Sequence, residues 1–179
     1  MHRADMENLS PDGRFGLLHD NYIGSNRQIN KPSVSWIAFF RDSRLEPQFR
    51  KADVWFDSHD RKAVSSLLDH LDNYLPEPDF PSLLHGDLWN GNYLVGNDGS
   101  AWLIDPAAYV GCFEADIAMT ELFGGFPRDF YAAYNEVNPL SPDYEDRRDL
   151  YNLYHLLNHL NLFGGSYLGS VRSIIRRYA

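Results

Sequence analysis

The stretch Leu83 to Pro106, LLHGDLWNGNYLVGNDGSAWLIDP, constrains this chain more than any other. Leu83-Leu84 is a short apolar run that enters a polar loop, His85 to Gly91. Asn92 to Val95 has the character of a strand, Gly96-Asn97-Asp98-Gly99 is tight-turn chemistry, and Ala101 to Ile104 is the returning strand. A hairpin of that kind brings Asp105, just past its second strand, back beside the loop that carries Asp87 and Asn92. The surrounding fold must therefore hold three polar side chains at one end of a short ribbon.

That order of side chains suits phosphoryl transfer, which depends mainly on positioning and charge neutralisation. One carboxylate accepts the proton of an attacking hydroxyl, the role that fits Asp87. A carboxamide oxygen and a second carboxylate hold magnesium, a hard cation that prefers oxygen ligands, and Asn92 and Asp105 supply them. The protein-kinase catalytic loop, H-R-D-x-x-x-x-N, has the same Asp-to-Asn spacing. Here Gly86 stands in place of the Arg, and Asp105 is followed by Pro106-Ala107 instead of Phe-Gly. Each piece alone is weak, because His-Gly-Asp is common turn chemistry and an Asp ending a strand usually caps or turns. Their joint order around one hairpin makes them a site.

H-G-D-x-x-x-x-N followed by I-D-P resembles the aminoglycoside phosphotransferase and choline kinase-like branch of the kinase fold. The fuller strings L-L-H-G-D-L-W-N-G-N, I-D-P-A and F-G-G-F-P, with D-N-Y-I-G-S at Asp20 to Ser25, are similar to those of the fructosamine (ketosamine) kinases. The resemblance covers nearly the whole chain. It implies an α+β, mainly α fold: a protein-kinase-like C-terminal lobe with one small β-hairpin and the N-terminal lobe absent. It also implies ATP as co-substrate, Mg2+ as the metal, and a small-molecule or protein-linked glycated amine as acceptor. Phosphorylation would fall on the third hydroxyl of the sugar and lead to release of the amine. By the same resemblance Asn21 and Tyr22 border the sugar pocket, Asp116 braces the catalytic loop, and His85 stands behind the reacting groups. Trp89, inside the loop, either stacks on the sugar or packs against the Asp20 to Ser25 turn. The rival readings are a phosphotransferase for an aminoglycoside- or choline-type substrate and a non-catalytic binding module.

No G-x-G-x-x-G segment precedes the catalytic loop, and Lys31, Lys51 and Lys62 sit in no V-A-I-K-like strand. The expectation is one domain over 1–179: a loop-rich lead-in (1–32), helices (33–75), the site (83–106) and a helical bundle (112–179). Such a chain is expected to be a fragment, a truncated reading frame, or one whose small lobe is supplied otherwise, and to be inactive by itself. An uncovered nucleotide cleft would favour a homodimer. The formal charge of −9 argues against nucleic acid or anionic membrane as the main partner. No apolar run reaches the length of a membrane span. Cys112 is the single cysteine, so no intrachain disulfide forms and a reducing cytoplasm is expected.

Periodicity fills in the rest. Ser33 or Ser35 caps a helix carrying Trp36, Ile37, Phe39 and Phe40, with a basic tail at Arg41 and Arg44. Pro47 starts a second helix through Phe49, Val54, Trp55 and Phe56. Ser58 or Asp60 opens an amphipathic helix with Val64, Leu67, Leu68, Leu71 and Leu75 inward. Pro106 to Gly111 reads as loop. A helix over Phe113 to Phe123 carries Glu114 and Asp116 near its positive end, and another spans Arg128 to Val137. A long helix from Pro142 to about Phe163 places His155 and His159 four apart, a spacing that can bind zinc, but no third ligand accompanies them. Arg172, Arg176 and Arg177 form a solvated basic face.

Overall fold

The computed structural model describes residues 1–179 apart from 5, 7, 8 and 11. Two helices make its spine: α4 (Phe113–Leu122) lies against α6 (Tyr144–Phe163). In α6 the apolar positions Leu150, Leu153, Tyr154, Leu157 and Leu160 recur at helical spacing and are all buried. Gly164, at φ 88°, ends the helix in a conformation that side chains with a Cβ rarely adopt. The expected start at Pro142 is a turn, in which Ser141 Oγ accepts the Asp143 N–H, and the helix proper begins at Tyr144.

The region 36–52 is one continuous helical rod. Ser35 caps α1 (Trp36–Phe39), a wider turn covers Phe40–Leu45, and α2 (Glu46–Ala52) follows. Its basic tail is not where the sequence suggested. The helix does not end at Arg44, and that side chain is fully buried. Its guanidinium lies 3.9 Å from the ring centre of Tyr109 and 4.6 Å from that of Phe39. It donates to the Ile29 carbonyl and the Asn30 carboxamide oxygen. Phe49 and Phe56 join the core as expected, whereas Val54 is 86% exposed because the chain tightens over Asp53–Trp55 and turns it outward.

Asp57, rather than Ser58 or Asp60, caps α3 (Ser58–Asp69), and Asp60 returns the bond to the Asp57 N–H in a reciprocal box. Asp60 also takes Arg172 of α7 (Leu168–Tyr178) at 2.7 Å, and Arg177 reaches Asp149. Those arginines therefore staple helices together and are not a free basic face.

Among the described residues three two-stranded antiparallel sheets lie between the helices, where one hairpin was expected. The first, β1 (Asn21–Ile23) with β2 (Asn26–Gln28), falls inside the expected loop-rich lead-in. The second pairs β3 (Ser82–Leu84) with β6 (Tyr109–Gly111), in a stretch expected to be loop. Close packing explains why Gly111 is needed: a Cβ there would sit 2.7 Å from a Leu84 methyl and 2.9 Å from the Trp36 ring. The third is the predicted hairpin, β4 (Tyr93–Val95) with β5 (Ala101–Leu103).

Glu114 does more than favour a helix end. It is buried and forms a two-point pair with Arg147 of α6, at 2.6 and 2.5 Å. Breaking one side of such a pair strands a buried charge, at a cost of about 3–5 kcal/mol. Glu114→Ala is accordingly expected to lower stability by that amount, read from urea unfolding. A loss below about 1 kcal/mol would show the pair to be solvated.

Candidate active site

The β3–β6 pair delivers the chain to His85, and the loop that follows is tied down from beneath. Asp116, in the first turn of α4, accepts the His85 N–H at 2.7 Å on one carboxylate oxygen and the Gly86 N–H at 2.8 Å on the other. Two buried amides leaving a strand would otherwise lack partners, which explains a carboxylate at this buried position. Gly86 has φ 80°, and a Cβ on it would lie 2.1 Å from the Ala107 carbonyl oxygen. Glycine is therefore required where the protein-kinase loop has arginine. The His85 ring bridges the two halves of the site: Nδ1 accepts the Asp87 N–H at 3.3 Å, and Nε2 donates to the Ile104 carbonyl at 2.9 Å.

Asp87 is the partly buried carboxylate of the group, its side chain 25% exposed. Burial raises its pKa above the usual carboxylate value, and the hydrogen bond from Asn92 opposes that rise. Asn92 donates through Nδ2 to both the Asp87 carbonyl (2.9 Å) and Asp87 Oδ2 (3.0 Å). With Nδ2 engaged, its Oδ1 receives no donor among the described residues. The Asn92 carbonyl accepts the Ile104 N–H, which sets Asp105 next to the loop. Asp105 adopts φ 51°, unusual for a residue with a side chain, and is exposed without a hydrogen-bond partner among the described residues.

A carboxamide oxygen and a carboxylate oxygen at one end of a hairpin suit a hard divalent cation. Among the described residues no three His, Cys, Asp or Glu side chains gather as a self-sufficient metal site. Two protein donors, with the remaining positions left to phosphate and water, match the habit of magnesium.

The Asp20 to Ser25 turn is anchored to the chain just after Asp105. Asn21 donates to the Ala108 carbonyl, and its Oδ1 accepts from both Gln28 and Asn30. Gln28 also donates to the Ala107 carbonyl and accepts from Tyr154. Asn30 leads on to buried Arg44. The Asn21 carboxamide is thus engaged within the protein, while Tyr22 is 65% exposed. Trp89 lies edge-on to Phe123, ring centres 6.1 Å apart, and its face covers Gly91.

Three neighbours of the site were not assigned to it from sequence. Arg44 read as the tail of a surface helix. His2 places Nε2 3.0 Å from Asp116 Oδ2 and Nδ1 2.6 Å from the Tyr134 hydroxyl, bracing the carboxylate that braces the loop. Its polar segment carries no periodic signal. His155 is buried, with Nδ1 4.0 Å from Asp87 Oδ1; its only signal in the sequence was the four-residue spacing to His159, which suits zinc and does not point to the loop. Cys112 is buried, which pushes its thiol up to about 12 and leaves it no nucleophilic role.

A carboxylate bonded to a carboxamide at the entry of a hairpin, with a second carboxylate at its exit, in a mainly helical α+β domain, fits the kinase-like class. The chain belongs to the fructosamine kinase family, whose model matches residues 1–179. It is 45% identical over 178 residues to a Vibrio parahaemolyticus protein named as a ketoamine kinase, covering 97% of this chain and 60% of that one. It is 44% identical to a chloroplastic protein-ribulosamine 3-kinase of Arabidopsis thaliana, covering 92% and 51%. A crystal structure described as a fructosamine-3-kinase from Thermobifida fusca superposes with a TM-score of 0.84 at 39% identity, over 92% of this chain and 58% of that one. The chain thus spans between about half and three-fifths of the length of these relatives.

Proposed function

We propose that this protein carries the catalytic residues for ATP-dependent phosphorylation of a ketosamine on a sugar hydroxyl, a step toward deglycation. The observation that carries the reading is the Asn92 to Asp87 side-chain bond. It fixes the base and leaves the Asn92 carboxamide oxygen and the Asp105 carboxylate for a metal. Asp87 orients the acceptor hydroxyl and takes its proton. The raised pKa brings its basicity closer to what a general base needs near neutral pH. Magnesium, when bound with ATP, would neutralise charge on the phosphates, and Asn92 and Asp105 would hold it. His85 and Asp116 keep loop and hairpin in register. Tyr22 and Trp89 offer aromatic surface to the sugar, and Asn21 positions the turn that carries Tyr22. The ketosamine itself rests on the family, since the site residues alone specify only a hydroxyl acceptor.

The substrate class, small or protein-linked, and residues 1–179 as a kinase-like large lobe belong to the same proposal. So does a reducing compartment; no helix among the described residues is long and apolar enough to cross a membrane. Homodimer formation is part of it too, because exposed Leu94 and Trp102 pair across one face of the β4–β5 hairpin and exposed Val95 and Leu103 lie on the other. Sedimentation at rising protein concentration tests that point, and a monomer throughout would contradict it.

Calorimetric titration with ATP, with and without magnesium, tests the site itself. Binding that requires magnesium is expected, and equal binding in the presence of a chelator would contradict the assignment. Removing a partner that merely orients a metal ligand typically costs about 10- to 100-fold in metal affinity. Asp105→Asn, which removes the charge of the ligand itself, is expected to raise the half-saturating magnesium concentration by at least about tenfold. An unchanged value would make Asp105 a structural strand end.

A further inference from the structure

His155 is a buried imidazole that faces the side-chain carboxylate of the proposed base, and nothing in the reaction outlined above uses it. It sits on α6 and is 4% exposed. Its Nδ1 is shielded from solvent and has no hydrogen-bond partner among the described residues. Buried polar atoms are nearly always satisfied, so an orphan aimed at an active carboxylate calls for an explanation. Nδ1 lies 4.0 Å from Asp87 Oδ1, while Asn92 holds the other oxygen, Oδ2, at 3.0 Å. The two side chains bracket the carboxylate from opposite oxygens.

We infer that His155 is a positioning residue: its ring, protonated on Nδ1, steers Asp87 Oδ1 and completes with Asn92 a two-sided clamp that fixes the base. A shift of about 1 Å converts the present separation into a hydrogen bond of ordinary length. The groups around the ring fit a neutral donor. Burial lowers its pKa to about 3, assisted by the neighbouring His159 and by Arg44 and opposed by Asp116. Tyr154 packs against its edge at 5.1 Å between ring centres, which limits rotation. A neutral donor steadies a carboxylate without quenching its basicity as a full positive charge would.

The inference rests on Asp87 being the base, but its first test does not depend on turnover. Nitrogen-15 NMR of the histidine-labelled chain, assigned with His155→Asn, reports which ring nitrogen carries the proton. The Nδ1–H form is expected, and it should give way to Nε2–H in Asp87→Ala. An Nε2–H ring in the unaltered protein, or an Nδ1–H ring indifferent to Asp87→Ala, overturns the inference. The second test is steady-state kinetics in a chain of the relatives' full length. His155→Leu should lower kcat by about 10- to 100-fold, the range expected of a misplaced catalytic group, with KM little changed. His155→Asn, whose amide nitrogen occupies the place of Nδ1, should recover most of that loss. Equal losses in both variants, or a change confined to KM, would make His155 a packing residue. Absence of ketosamine phosphorylation in the unaltered chain of the relatives' full length would instead defeat the proposed function, leaving the NMR result to judge the clamp.

Discussion

Asp87→Ala is expected to lower the rate of ketosamine phosphorylation by about 10²–10⁴-fold, the usual range for a lost general base. Nucleotide affinity should stay nearly unchanged, because the metal donors, Asn92 Oδ1 and the Asp105 carboxylate, remain in place. The split follows from the geometry. Asp87 Oδ2 is occupied by the Asn92 amide at 3.0 Å, so Oδ1 is the oxygen left for an acceptor hydroxyl. The measurement is kcat with ATP at saturation, beside the ATP dissociation constant from calorimetry, in a chain of the relatives' full length. Retention of more than about half the rate would remove Asp87 from the role of base. A large loss of ATP affinity would move it to the metal.

The second large effect is one of backbone. Gly86 and Gly99 share φ 80°, but their surroundings differ. At Gly99 a Cβ would enter open space, so Gly99→Ala should cost only the strain of the left-handed conformation, about 1–2 kcal/mol. At Gly86 the same Cβ would lie 2.1 Å from the Ala107 oxygen and 2.7 Å from its carbonyl carbon. Backbone cannot rotate away as a flexible side chain can, so the loop or the segment after Asp105 must move. Gly86→Ala is expected to cost about 3–5 kcal/mol in all, a fall in Tm of roughly 10 °C for a domain of this size. Gly86 also joins His85 to Asp87, so the displaced base should lose about 10²-fold in rate. Thermal unfolding of both variants checks this. Equal Tm values for Gly86→Ala and Gly99→Ala would show that the close approach to Ala107 is relieved without cost.

What could be read from the sequence follows the range of the interactions involved. The hairpin from Tyr93 to Leu103 was legible because turn chemistry and strand character lie within a dozen residues. So was the inner stripe of α6, whose period is local. The pairing of β3 with β6 was not, since each strand is three residues long and the partners lie more than twenty residues apart. Buried charge was harder still. Arg44 and Glu114 look like surface residues in their own helices, and partners distant in sequence, among them Asn30 and Tyr109 for the one and Arg147 for the other, make burial affordable. Asp116 was assigned to the loop by family resemblance, whereas His2 and His155 reach the site across 114 and 68 residues of chain with no motif to announce them.

The most direct test of the central claim is to follow phosphate from ATP to sugar. A small synthetic fructosamine, ATP and magnesium are incubated with a chain of the relatives' full length, and phosphorus NMR identifies the product. A phosphate ester on a sugar hydroxyl should appear in step with ADP. It should be lost with chelator and nearly lost in Asp87→Ala. ADP release without a sugar ester, or an ester formed equally well by Asp87→Ala, would contradict the account.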